Sequence, residues 1–160
     1  MTDQRAAGIE FTLADPHGAE ARGCLQRYFE ELESRFKGGF DRDAGGAAAI
    51  RDFAPPGGCF LIAKRLGQPV ACGAVRTFEE GIGEIKRMWV SPEARGLGLG
   101  RRLLAELERA ARNLGLRSVR LDTNESLGEA IKLYRASGYR EIARFNDNPY
   151  AHHWFEKNLN

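Results

Sequence analysis

No stretch of this chain stays apolar for anything near the roughly 20 residues that cross a bilayer, which argues against a membrane protein. Charge of one sign is also lacking. The formal net charge is +2, from 24 Lys and Arg against 22 Asp and Glu. The arginines run through both halves, interleaved with acids, so no clustered basic face for nucleic acid is expected. Cysteine is scarce, with Cys24, Cys59 and Cys72 and no CxxC spacing. That favours reduced, partly buried thiols over a disulfide or a zinc site. No metal site is expected. Met1 to Glu10 lacks the apolar core of a secretory signal, so the expected compartment is the cytoplasm. No repeat or low-complexity segment interrupts the chain. Its 160 residues, 42% of them hydrophobic, suit a single domain over residues 1–160 with a real core.

What is present reads as alternating strands and helices. Ile9 to Leu13 alternates as a first strand. Asp15-Pro16 reads as a helix start, with Asp as cap and Pro at the first helical position. Leu25, Tyr28, Phe29, Leu32 and Phe36 recur at helical spacing, which predicts a helix from about Pro16 to Phe36. Lys37 to Pro56 reads as a loop with one short helical piece near Ala47 to Arg51. Cys59 to Lys64 and Val70 to Phe78 form a predicted hairpin about Gly67-Gln68-Pro69. Ile82 to Val90 is a third strand of that meander. From Gly98 to Asn113, Leu99, Leu103, Leu107, Ala110 and Leu114 make a helical stripe, with Glu108 four residues before Arg112. Val119 to Thr123 is the next strand, and Ser126-Leu127-Gly128-Glu129 reads as a capping box for a helix ending at Gly138. Tyr139 to Ala143 and His152 to Lys157 close the series. A meander followed by helical crossovers implies an α/β mixed sheet covered by helices.

The chemistry begins at Gly96, Gly98 and Gly100, which alternate between a strand and a helix. Glycines let the backbone bend and approach a ligand closely. The first helix amides have no internal partner and carry the positive end of the dipole. A phosphate fits there, with Arg95, Arg101 and Arg102 able to form forked bonds to its oxygens. The Lys-Ser/Thr of a nucleotide-triphosphate loop is missing after Gly100. A dinucleotide fold would place the third glycine one residue later and would not follow a meander.

The string Arg95-Gly96-Leu97-Gly98-Leu99-Gly100 resembles the R/Q-x-x-G-x-G/A signature of the GCN5-related N-acetyltransferase (GNAT) superfamily. The likeness extends through Glu84 to Val90, Val119 to Asn124 and Glu129 to Tyr139, with Leu133-Tyr134 and Gly138-Tyr139. It implies about seven mostly antiparallel strands, the fourth and fifth splayed apart, and about four helices. It further implies acetyl-CoA (coenzyme A) as acyl donor, with the pantetheine arm in the splay. Met88, Trp89 and Val90 would flank that arm, with Met88 and Val90 pairing as an added strand would. Arg95 to Arg102, including Leu97 and Leu99, would hold the pyrophosphate, and Asn124, Leu133 and Tyr134 the other wall. Dimers are common in the family, so a homodimer is possible.

Acetyl transfer to an amine needs loss of the amine proton, a stabilised oxyanion and a proton for the departing thiolate. Tyr134 matches the family tyrosine near the sulfur and is the candidate acid. Glu84 is the candidate base. An unperturbed carboxyl near pKa 4.3 suits an ammonium poorly, so it needs a raised pKa, an intervening water or an amine already partly neutral; the alternative is that Glu84 only pairs with Lys86, Arg87 or a substrate cation. In a regular strand Glu84, Lys86, Met88 and Val90 share one face. Transfer is expected to be direct, because no cysteine stands in a triad context. For the amine acceptor, Tyr28 on the first helix, Arg76, and Asn148, Tyr150 and His153 in the polar-aromatic segment before the end are candidates. Arg76 with the nearby acids suggests a zwitterion such as an amino acid. His152 and His153 should point to opposite faces of the last strand. A non-catalytic acyl-CoA sensor and a nicotinamide-dependent oxidoreductase are the rival readings.

Overall fold

The computed structural model describes residues 8–42 and 49–160. Seven strands form one sheet in the order β1-β2-β3-β4-β5-β7-β6. They are β1 (Ile9–Ala14), β2 (Gly58–Arg65), β3 (Gln68–Glu79), β4 (Ile82–Val90), β5 (Ser118–Thr123), β6 (Arg140–Ile142) and β7 (His153–Asn158). The helices are α1 (Ala19–Arg35), α2 (Leu99–Asn113) and α3 (Gly128–Ala136). All pairings are antiparallel except β4 with β5. Among the described residues there are thus three α-helices, where about four were expected. Short 3-10 turns at Ile50–Phe53 and Pro92–Ala94 complete the set. The helical piece expected at 47–51 lies partly outside the described residues, and its described part meets the Ile50–Phe53 turn.

Two cores sandwich the sheet. On β2 the period-two side-chain alternation sends Phe60 and Ile62 to one face and Cys59, Leu61 and Ala63 to the other. The first face packs on Ala21, Cys24 and Leu25 of α1, with Phe53 and Trp89. The second packs on Leu99, Leu103, Leu104, Leu107 and Ala111 of α2. Burying each such leucine stabilises the fold by about 2 kcal/mol. α2 approaches β3 closely because Gly73 lacks a side chain. A Cβ there would lie 2.7 Å from Leu107 Cδ1.

Several local expectations fail for identifiable reasons. Asp15-Pro16 makes a turn, not a helix start. The Asp15 carboxylate accepts the His17 N–H, the Gly18 N–H reaches the Asp15 carbonyl, and α1 begins at Ala19 with Gly18 as cap. Gln68 and Pro69 belong to β3, and the hairpin turns through Leu66 and Gly67, both at positive φ. The buried stripe of α2 includes Leu104 and Ala111, with Ala110 and Leu114 only half-buried. Glu108 is buried. It accepts from Tyr139 Oη at 2.8 Å and Lys157 Nζ at 3.0 Å, while Arg112 turns to the Leu159 carbonyl. The capping box does not form either. Asn124 Oδ1 accepts the Ser126 N–H, and Arg35 draws the Glu129 carboxylate away. His152 precedes β7 and accepts the Glu125 N–H.

Candidate active site

β4 is not regular. Cys72 faces Trp89 and Ala74 faces Lys86, so Arg87 and Met88 together stand opposite Gly73. Arg87 has φ +61°, rare for a residue with a Cβ. This bulge shifts the phase of the strand. Glu84 and Lys86 therefore share the α1 face, while Met88 and Val90 pack with the α2 core. The single four-residue face expected from a regular strand does not exist. Arg87 swings its guanidinium to the α1 side, over Phe29 and Phe53. The sheet already opens before the bulge. β4 and β5 pair only at Ile82↔Ser118, Gly83↔Val119 and Glu84↔Arg120.

Two cavities fill the opening. The larger, about 450 Å³, runs between the glycine turn, α1 and α3. Met88, Trp89, Val90, Arg95, Gly96, Gly98, Leu99, Gly100, Arg101, Leu133 and Tyr134 all line it. Gly96 and Gly98 have φ of +81° and +73°, a backbone open to anions. The first helical bond of α2 is Arg102 N–H to Gly98 carbonyl, and no side chain caps the helix. The amides of Leu99, Gly100 and Arg101 are therefore available. Arg95 is paired with Glu31 of α1, and its Nε donates to the Val90 carbonyl at 3.1 Å. Leu97 and Arg102 do not line this cavity, and Arg102 stacks on Phe11 instead.

The smaller cavity, about 180 Å³, lies on the far side of the splay. Tyr28, Arg76, Glu84, Asn148 and Tyr150 line it together, as does Asn124, which was expected beside the pantetheine. The Asn124 amide is committed to the Tyr150 carbonyl at 2.7 Å. His153 is elsewhere, 2.8 Å from Glu141. Sequence reasoning put Lys86 on the Glu84 face without giving it a site role, and it missed Arg87, Asp122, Asn146 and Arg42 as site residues. Of those four, only Asp122 could have been signalled, by its alternation on β5.

Tyr28, Leu32, Met88, Leu127, Ala130 and Tyr134 line both cavities, so the two meet there. The Tyr134 hydroxyl has one weak acceptor, the Met88 sulfur at 4.0 Å. Burial, and then the charges of Tyr28, Asp122 and Glu129, push its pKa well above the usual phenol value. It stays protonated. Burial pushes Tyr28 up to about 12, with Arg87 opposing.

Glu84 is 2% exposed. Its oxygens take Arg76 Nε at 2.8 Å, Lys86 Nζ at 3.4 Å and Asn146 Nδ2 at 3.2 Å. Burial raises its pKa, but Lys86, Arg76 and Asn146 outweigh burial and hold the carboxyl below its ordinary value. Asp122 is bound differently, by the neutral amides of Asn146 at 2.5 Å and Asn148 at 3.1 Å. Among the described residues no group of three or more His, Cys, Asp or Glu stands together, and no helix is long and apolar enough to cross a membrane.

Known proteins share this arrangement. The family model of the acetyltransferase (GNAT) family matches residues 25–139. An IAA acetyltransferase of Azospirillum brasilense is 38% identical over 129 residues, covering 80% of this chain and 83% of the relative. A solved, provisionally assigned acyl-CoA N-acyltransferase of Klebsiella pneumoniae is 30% identical. It superposes with a TM-score of 0.77, covering 96% of this chain and 99% of that one. A Salmonella typhimurium structure with acetyl-CoA bound has the same fold, with a TM-score of 0.72 at 17% identity over 96% of this chain and 95% of its own. With a matching family model over most of its length, a splayed β4–β5 pair and an uncapped glycine turn, the chain belongs to the GNAT acetyltransferase family and is an acetyl-CoA-dependent acetyltransferase.

Proposed function

We propose that the protein acetylates a primary amine by direct attack on the thioester of acetyl-CoA. The observation that carries this reading is the meeting of the two cavities at Tyr134, Met88 and Tyr28, just past the last β4–β5 pair. The donor enters the larger cavity. Its pyrophosphate takes the amides from Gly96 to Arg101, with Arg95 and Arg101 beside them. Its pantetheine amides pair with the backbone of Met88 and Val90.

The acceptor occupies the smaller cavity. Its nitrogen attacks the thioester carbonyl carbon, and a backbone amide of β4 supports the oxygen as it gains charge. A C–N bond forms and the C–S bond breaks. The nitrogen loses one proton, and the departing thiolate gains one. Tyr134 donates a hydrogen bond to that sulfur. Its raised pKa makes it a stabilising donor first and a proton source second. Glu84, with its lowered pKa, is a poor direct base for a full ammonium. In this proposal it acts through a water and holds Arg76 and Lys86 in place. The positive cavity also favours the neutral amine. The free thiols of Cys24, Cys59 and Cys72 fit a reducing compartment such as the cytoplasm.

The test is a screen of purified protein with acetyl-CoA and a panel of amines, read as free-thiol release, beside calorimetric binding of CoA. Amine-dependent thiol release supports the proposal. CoA binding with no transfer to any amine overturns it in favour of an acyl-CoA sensor.

A further inference from the structure

The smaller cavity has an unbalanced set of charges. Arg76 and Lys86 are answered by Glu84, and Arg76 also approaches Asp52 at 3.9 Å. Arg87 and Arg42 are not answered. Arg87 lies over the rings of Phe29 and Phe53 at 5.4 and 5.7 Å. Arg42 lies over the Phe29 ring at 4.8 Å and donates to Gln26 Oε1. Neither has an acidic partner among the described residues, and both line the cavity. Phe29 thus carries two guanidinium groups at one wall.

At another wall Asp122 has the opposite imbalance. It is bound by two neutral amides and by no cation among the described residues. An apolar patch lies nearby. Phe36, Phe40 and Tyr150 pack with centroids 4.8 to 5.7 Å apart, and Phe40 stacks on Phe29 at 5.8 Å. A volume of about 180 Å³ holds about six waters, the scale of one amino acid and not of a peptide segment.

We infer that the acceptor is a free apolar amino acid, its carboxylate held by Arg87 and Arg42 and its amine directed by Asp122. The inference rests on the acetyltransferase reading of this site. A carboxylate supplies the two acceptor oxygens that a guanidinium fork matches. A cation already lying on an aromatic face loses little further freedom when it takes such a partner. The apolar side chain of the amino acid packs on Phe36, Phe40 and Tyr150. The acceptor is still a zwitterion, but its carboxylate anchor is not the expected Arg76, whose charge is already engaged by Glu84.

The experiment compares L-phenylalanine with phenylalaninamide and phenethylamine as acceptors for the full chain with acetyl-CoA, by thiol release. A charge-assisted carboxylate anchor predicts kcat/KM for phenylalanine about 10- to 100-fold above both carboxylate-free amines. Arg87→Met should raise KM for phenylalanine and collapse most of that ratio, with acetyl-CoA KM little changed. Arg42→Gln gives the same readout if Arg87→Met melts early. Equal turnover of the acid, the amide and the amine overturns this inference and leaves the transferase standing. An unchanged ratio in both variants overturns the assignment to these arginines. CoA binding with no turnover of any amine sinks the transferase reading, and this inference with it.

Discussion

Replacing Glu84 by Gln separates a catalytic carboxylate from a structural one. The side chain is 2% exposed and holds three donors, from Arg76, Lys86 and Asn146. Gln keeps the shape but loses the charge and offers an NH2 group to a neighbourhood of donors. Lys86 and Arg76 are only 14% and 25% exposed, so water compensates them incompletely. Removing one partner of such a pair costs about 3 kcal/mol. For a chain of this size, about 3 kcal/mol lowers Tm by about 6 to 12 °C. The pH dependence has a definite sign. A carboxyl with a folded pKa below its unfolded value stabilises the fold above about pH 4.5, and that contribution is lost as pH falls through the folded pKa. Melting curves between about pH 3 and 7 should therefore show Glu84→Gln losing stability at neutral pH and converging on wild type in acid. The kinetic arm runs in parallel. If Glu84 takes a proton through a water, kcat falls about 100-fold or more and the acidic limb of the rate profile disappears. If it only anchors Arg76 and Lys86, the loss falls mainly on acceptor KM and the limb remains. A variant that melts with wild type at pH 7 refutes the buried-network argument.

Three further outcomes follow from the same geometry. Tyr134→Phe should lower kcat about 100-fold or more while leaving Tm within a few degrees, because the hydroxyl has only the Met88 sulfur at 4.0 Å to lose; unchanged kcat removes Tyr134 from the chemistry. Gly98→Ala and Gly58→Ala should differ. At Gly98 nothing lies within 4 Å, so the cost is the φ of +73°, about 1–2 kcal/mol, with a raised acetyl-CoA KM; at Gly58 a Cβ would lie 2.0 Å from the Asp52 carbonyl oxygen, and urea unfolding should show a loss of about 3 kcal/mol or more. On the alkaline side, burial raises Tyr28 to about 12, so its stabilising contribution is complete below about pH 10 and falls as pH rises toward 12. Tyr28 alone should cost about 1 kcal/mol by about pH 11, with Tyr134 and Tyr139 acting in the same direction, and equal melting at pH 8 and 11 would contradict this.

The chain's own pattern determined the repeating elements and the donor-side turn. β4 has the expected bounds, Ile82–Val90, and α2 starts within a residue of the expected place, because its helical periodicity is a local property. The glycine turn is legible because only residues without Cβ take φ near +80° cheaply, and the helix amides behind it belong to the backbone. Tertiary structure decided what local pattern could not carry. Asp15 and Ser126 looked like helix caps, but neighbouring groups claimed their hydrogen bonds. Glu108 looked like a surface acid, yet Tyr139 and Lys157, distant in sequence, made burial tolerable. The bulge at Arg87 is set by register against β3, and it moved Met88 and Val90 to one face and the Arg87 guanidinium to the other. Glu84 was legible as a site residue, but its lowered pKa comes from Arg76, Lys86 and Asn146, which only the fold brings together. The proposed acceptor wall of Arg42, Arg87, Asp122 and the aromatic patch is assembled from α1, the loop after it, β4, β5 and the segment before β7. No spacing along the chain encodes such distances, so sequence alone reached the glycine turn and, in Tyr28, Arg76, Asn148 and Tyr150, part of the smaller cavity, while only the fold brought Arg42, Arg87 and Asp122 to that cavity.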